Sequence, residues 1–327
     1  MSDGAAPPVF VVGCPRSGTT LLRLMLNAHP QLAIPPESHF IPLVARVRRR
    51  YERPGGFDAE RMATDVMRGL RFRDWNLPED RVRAAIRERR PATLADSIRC
   101  FFEAYADAHG KERWGDKTPG YSIELPLVSG LFTDAVFVHL IRDGRDVALS
   151  LMDVPRPPRS LAEAAQVWRS RVATGRADGA TLGARRYLEL RYESVVDDPG
   201  SALEQICELA SLEYTSAMLD YHREDPAGSV PARNWGHHRN LAKPPTRGPS
   251  DWRDRMSTAD QRLFEALAGD ELSDLGYERR FPEVTVGARA RAAANLTYDR
   301  GRHLVRSARI ALAVKRHAEA LPPPRRW

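Results

Sequence analysis

No stretch of this chain approaches the ~18 uncharged apolar residues that a membrane-spanning helix needs. The first residues, Met1 to Pro8, also lack the basic start and apolar run of a secretory leader. Cysteine is sparse: Cys14, Cys100 and Cys207 are too few and too scattered for a disulfide framework or a zinc site. A reducing, cytoplasmic setting fits. Lysine is also scarce for so basic a chain, with Lys111, Lys117, Lys243 and Lys315 the only four among 50 basic residues. A lysine inside a polar motif therefore stands out.

The net charge of +7 suggests nucleic acid until it is located. Residues 284–327 hold ten of the basic residues against Asp299 and Glu319, while the other 40 face 41 acids. The positive excess belongs to the tail, and the body has no global basic field to hold a polyanion. Gly301 to Ala320 reads as a helix with Arg302, Arg306, Arg309 and Arg316 on one side and Leu304, Ala308, Ala311 and Leu312 roughly opposite. Two roles stay open for residues 286–327: a peripheral contact with an anionic membrane or an acidic acceptor, or packing on the body or a homodimer partner.

At 327 residues the chain can bury a sizeable core. Val9-Phe10-Val11-Val12, Ala135 to Ile141 and Tyr187 to Leu190 read as buried strands. Helices are expected at Gly18 to Ala28, Asp146 to Met152, Ser160 to about Gly175 and Ala202 to Ser211. Strands alternating with helices predict an α/β fold, a parallel sheet flanked by helices on both faces. Residues 38–109 read as a helical insertion broken at Pro54-Gly55-Gly56, Pro78 and Pro91. Asp225 to Asp254 is Pro-, Gly-, Asn- and Arg-rich with little periodicity, the composition of a functional lid or a disordered loop. The expected organisation is one domain over 1–283 and a basic helical extension over 284–327.

Gly13-Cys14-Pro15-Arg16-Ser17-Gly18-Thr19-Thr20 sits where the first strand ends and a helix begins, the place where backbone N–H groups and a helix dipole form an anion site. Gly13 and Gly18 keep the spacing of the nucleotide-triphosphate P-loop, G-x-x-x-x-G-K-[ST], but Thr19 stands in place of the lysine and Arg16 brings the charge. A second departure agrees with the first. P-loop NTPases commonly end the next strand in a magnesium-holding aspartate. Here that strand runs into Arg142, a residue suited to phosphate, with Asp143 one place late. Together these point to an anionic nucleotide held by arginine and hydroxyls, without an obligatory metal. A P-loop kinase or ATPase, and a non-catalytic nucleic-acid or anion binder, are the alternatives.

Pro15-Arg16-Ser17-Gly18-Thr19-Thr20, Arg142-Asp143-Gly144-Arg145-Asp146 with Ser150, Arg191-Tyr192-Glu193 and, more loosely, Arg247-Gly248-Pro249-Ser250-Asp251-Trp252 resemble the motifs of the sulfotransferases that use 3′-phosphoadenosine 5′-phosphosulfate (PAPS). Ala28-His29-Pro30 and Glu37-Ser38-His39-Phe40-Ile41-Pro42 look most like the protein-tyrosine sulfotransferase branch. The resemblance implies transfer of a sulfuryl group from PAPS to a hydroxyl or amine, releasing 3′-phosphoadenosine 5′-phosphate (PAP). It assigns the 5′-phosphosulfate to Arg16 and the Ser17, Gly18, Thr19 and Thr20 segment, and the 3′-phosphate to Arg142 and Ser150, with Arg247 and Gly248 closing over it. Tyr192 falls on the adenine side. Arg16 is the first candidate for the leaving-group cation and Lys117 the second, with Asp116 expected to orient it; a surface lysine in a turn before Pro119 is the plainer reading of Lys117. Glu37 matches the family's base, with His39 as rival, and a helix-start carboxylate capped by Ser38 as the structural alternative. Arg145 is either a further phosphate ligand or a solvated helix-start residue. The acceptor stays open among small molecules, glycans, lipids and peptides, and neither a metal nor a nucleic-acid partner is expected.

Overall fold

A run of β-branched and aromatic residues without a polar break is stable only where both of its faces are covered. In a computed structural model of the chain, which describes residues 6–154, 157–223, 230, 239–245, 251–283, 287 and 290, the sequence's two most apolar runs occupy the middle of a sheet. The strands among these residues are β1 (Val9–Gly13), β2 (Leu32–Ala33), β3 (Glu52–Arg53), β4 (Gly56–Phe57), β5 (Arg113–Lys117), β6 (Val136–Ile141) and β7 (Tyr187–Arg191). Five form a parallel sheet in the order β2-β5-β1-β6-β7, and β3 with β4 makes a small antiparallel hairpin. Every residue of β1 and β6 is buried.

Two compact units divide the chain, Met1–Arg142 with Arg171–Pro249, and Asp143–Ser170 with Ser250–Trp327. The first holds the sheet, and alternate side chains of the strands feed two cores. Phe10, Val12 and Phe137 join the insertion's Phe40, Phe101 and Phe102 on one face. Val9, Val11, Val138 and Leu140 meet Leu22, Met25 and Leu26 of helix α1 (Thr19–Asn27) and Leu203 and Ile206 of helix Pro199–Ala210 on the other. The expected two-sided cover is therefore present. The insertion folds as helices Ile41–Arg46, Ala59–Met67, Leu70–Arg73, Glu79–Arg89 and Leu94–Ala108. Its breaks fall where proline and glycine dictate: the β3–β4 turn holds Gly55 at φ +83, Pro78 caps Glu79–Arg89, and Arg90 takes a left-handed φ just before Pro91. Asp58 and Thr93 cap the helices that follow them by accepting from the amides of Arg61 and Asp96.

The second unit contains helices Gly144–Met152, Trp252–Arg255 and Thr258–Asp274. Its centre is Trp168 against Phe264, 5.8 Å between ring centroids. Helix Leu161–Ala180 carries the chain from this unit back to the first. Most of the 284–327 extension and of the expected lid lies outside the described residues. No helix among the described residues is long and apolar enough to cross a membrane.

Candidate active site

The loop after β1 is built from two close approaches. A Cβ at Gly13 would fall 2.5 Å from the Leu140 carbonyl oxygen, so only a bare α-carbon lets β1 leave the sheet there. Gly18, the N-cap of α1, takes φ +91, and a Cβ on it would meet the Tyr192 ring at 2.3 Å. Between them Arg16 also adopts a positive φ of 76°, uncommon for a side chain of that size, as strained functional loops do. Ser17 is fully buried, and its hydroxyl has no hydrogen-bond partner among the described residues. A loop with an unsatisfied buried hydroxyl, an arginine and the amide end of a nine-residue helix is chemically fit for a polyoxyanion. Cys14 beneath it is also buried, and burial pushes its thiol up to about 12, so it stays a neutral packing group.

Across from the start of α1 stands Lys117, the last residue of β5. The plain reading of it as a surface lysine in a turn is overturned: its side chain is 4% exposed, because β5 lies inside the sheet between β2 and β1. Lys117 Nζ donates to Glu37 Oε1 at 2.7 Å and to Thr20 Oγ1 at 3.3 Å. His39 Nε2 lies 2.7 Å from the other carboxylate oxygen, Oε2. Burial alone would raise the Glu37 carboxyl. The Lys117 charge and hydrogen bonds from His39 and Lys117 outweigh it and hold Glu37 well below the usual carboxylate range. Burial likewise pulls Lys117 down, with Glu37 opposing it. One continuous line of contacts thus brings Thr20, Lys117, Glu37 and His39 together.

Two expectations about this line change. Asp116 does not hydrogen-bond Lys117. Its Oδ1 accepts from the Thr118 hydroxyl at 2.6 Å and its Oδ2 from the Ser38 hydroxyl. Nor does Ser38 cap a helix: helix Ile41–Arg46 is capped at Phe40, and Ser38 Oγ lies 2.8 Å from the Tyr121 hydroxyl while its amide donates to Thr118 Oγ1. Sequence reasoning missed this buried group, and it missed Arg23, which is 2% exposed in α1 and donates to the Ile34 carbonyl at 3.2 Å. The signal for Arg23 was available, since it is the one charge within Leu21-Leu22-Arg23-Leu24-Met25-Leu26.

At the end of β6, the Arg142 guanidinium lies 4.7 Å from the centroid of Tyr192, the same ring that covers Gly18. Gly18, Tyr192 and Arg142 are therefore one packed set. Ser150 lies in helix Gly144–Met152 of the second unit. Arg247 and Gly248 lie outside the described residues. Arg145 fits neither of its readings, being fully buried and fixed to Asp143 at 2.8 Å and Glu265 at 2.9 Å, with its guanidinium 3.6 Å from the Trp252 ring centroid. The same pairing occupies Asp143, the residue a magnesium-dependent kinase would need, which accepts from the Arg145 amide, Nε and Nη2. Among the described residues no group of three or more His, Cys, Asp or Glu side chains is arranged to hold a metal ion.

Comparison with known proteins places this geometry. The chain is 27% identical over 294 residues to nodulation protein NoeE of Sinorhizobium fredii, covering 83% of the chain and 66% of that protein. It is 24% identical over 226 residues to protein-tyrosine sulfotransferase A of Caenorhabditis elegans, covering 67% and 53%. The chain thus spans between about half and two thirds of the length of these relatives. A solved sulfotransferase domain from the olefin synthase of Synechococcus PCC 7002 superposes with a TM-score of 0.53 at 26% identity, over 85% of this chain and 98% of that one. A sequence model described as "Sulfotransferase family" matches residues 7–216, from before β1 through helix Pro199–Ala210 and beyond, and the chain belongs to that family.

Proposed function

We propose that this protein transfers a sulfuryl group from PAPS to a hydroxyl or amine acceptor, with Lys117 and Arg16 serving the leaving group and Glu37 taking the acceptor proton. The observation that carries this reading is the position of Lys117 Nζ, within hydrogen-bonding reach of both Thr20 on the phosphate-type loop and Glu37. Bound PAPS would supply the activated sulfuryl group, whose bond to the 5′-phosphate oxygen breaks as a bond to the acceptor oxygen or nitrogen forms. Such transfers need positioning and charge stabilisation more than covalent help. Arg16, the Ser17 hydroxyl and the amides of Gly18 to Thr20 hold the 5′ end. Lys117 neutralises charge that grows on the departing oxygen. For the 3′-phosphate the proposal is Arg142, joined on sequence spacing alone by Ser150, Arg247 and Gly248. The names of the tyrosine-specific relatives support an acceptor hydroxyl; the acceptor itself is a matter for a screen of phenols, glycans, lipids and tyrosyl peptides with sulfate-labelled PAPS.

Two measurements test the reading. PAP should raise the thermal unfolding midpoint, since a ligand at 100 times its Kd stabilises by about 2.7 kcal/mol, and AMP at the same concentration should do little. Equal shifts from the two would mean that the 3′-phosphate is not read. The pH profile of kcat/KM, which reports the free enzyme, separates the two candidate bases. Because the Glu37 pKa is depressed, its proton-accepting form persists as pH falls through the ordinary carboxylate range, so the acid limb should lie below it. An acid limb at or above that range would take the base role from Glu37.

A further inference from the structure

The Glu37 and Lys117 contact is one half of a double grip. Glu37 and Ser38 are consecutive, as are Asp116 and Lys117, and the pairs meet crosswise: Glu37 on Lys117, Ser38 on Asp116. Asp116 and Lys117 are neighbours in β5 and point to opposite faces of that strand, so the two contacts lie on either side of it. Tyr121 locks the second grip, its oxygen 2.8 Å from Ser38 Oγ and accepting from the Ile41 amide at 3.2 Å. Asp116 is 1% exposed, Ser38 1%, Tyr121 3% and Thr118 1%. Burying a carboxylate on hydroxyl partners costs far more than burying an apolar side chain of the same size, and breaking such a network after folding costs more again. Two aliphatic residues would hold the insertion to the sheet as well. They would not fix the rotation of the 37–38 backbone, and that rotation aims Glu37.

We propose that Asp116 is the positioning residue of this site: through Ser38 it sets the Glu37 carboxylate against Lys117, and it touches neither donor nor acceptor. The proposal rests on the catalytic reading above. Ionisable groups that bear on Glu37 are Lys117 and His39, and Arg23 of α1 lies within electrostatic reach. Burial raises Asp116 to about 6 against the hydrogen bonds from Ser38 and Thr118 and the charges of His39 and Lys117.

The test uses the full chain labelled with 13C at glutamate carboxyls, with the Glu37 resonance assigned by its absence in Glu37→Gln. In the wild type Glu37 should titrate below the ordinary carboxylate range. In Ser38→Ala and Asp116→Asn its midpoint should move up by about one unit or more, as contact with Lys117 loosens. Turnover with PAPS should fall ~10–100-fold, the scale of a misplacement near 1 Å, while the PAP dissociation constant stays within about threefold. Ser38→Ala removes a single hydroxyl and keeps the test alive should Asp116→Asn not fold. An unmoved Glu37 midpoint in Ser38→Ala, or a loss of PAP affinity as large as the loss of turnover, overturns the proposal. Glu37→Gln separates this failure from failure of the base reading. If Glu37→Gln is inactive while Ser38→Ala turns over normally, only the clamp is lost; if Glu37→Gln is itself nearly active, the base assignment goes.

Discussion

Lys117→Ala is expected to lower kcat by ~10²–10³-fold, the cost of removing one preorganised donor from a site where charge develops. Two effects compound. The leaving oxygen loses its cation, and Glu37 loses its main cationic partner, so its pKa climbs, with only His39 left to oppose burial. The acid limb of kcat/KM should therefore move up in pH as turnover falls. Lys117→Arg should recover little, because a guanidinium is broader than an ammonium and the Lys117 side chain is only 4% exposed. PAPS affinity should change far less than kcat, since the charge Lys117 answers grows only as the bond to sulfur breaks. Turnover within a few-fold of wild type would remove Lys117 from the chemistry and leave it a structural ion pair.

Arg16→Ala is expected to lower transfer by ~10³-fold or more with the fold intact by circular dichroism and thermal unfolding. The backbone at this position complicates a simple deletion, because φ is +76° and alanine is strained there. Arg16→Gly resolves it. Glycine adopts that conformation freely, so a charge role predicts that the glycine and alanine variants are equally impaired in labelled-sulfate transfer. Recovery in Arg16→Gly would assign the loss to the loop backbone, and near-normal turnover in Arg16→Ala would exclude the leaving-group role.

What the sequence disclosed follows a physical pattern. β1 and β6 were legible because burial on both faces leaves an unbroken apolar run, and the insertion's breaks were legible because proline and glycine act locally. The loop was legible because its glycines, arginine and hydroxyls lie within eight residues. β5 was not. Arg113-Trp114-Gly115-Asp116-Lys117 has neither alternation nor an apolar run, and it is a strand because β1 and β2 pair with it from either side. That single omission carried others. With β5 unrecognised, Lys117 could be imagined on the surface, and Asp116 was assigned to its chain neighbour although its partner Ser38 is 78 residues away. Arg145 shows the same limit: an arginine at a helix start looks solvated or ligand-binding until Glu265, 120 residues on, supplies its buried partner. Side chains that satisfy one another across such distances leave no local trace.

The Tyr192 ring bears on both proposed anion corners of the first unit, against Gly18 where α1 opens and over Arg142 where β6 closes. The gap between those corners is therefore gauged by one flat side chain instead of a pliable hinge. A molecule with negative charge at two places is selected by the span between them as much as by either charge. On the proposed reading, this tyrosine sets that span before the nucleotide arrives.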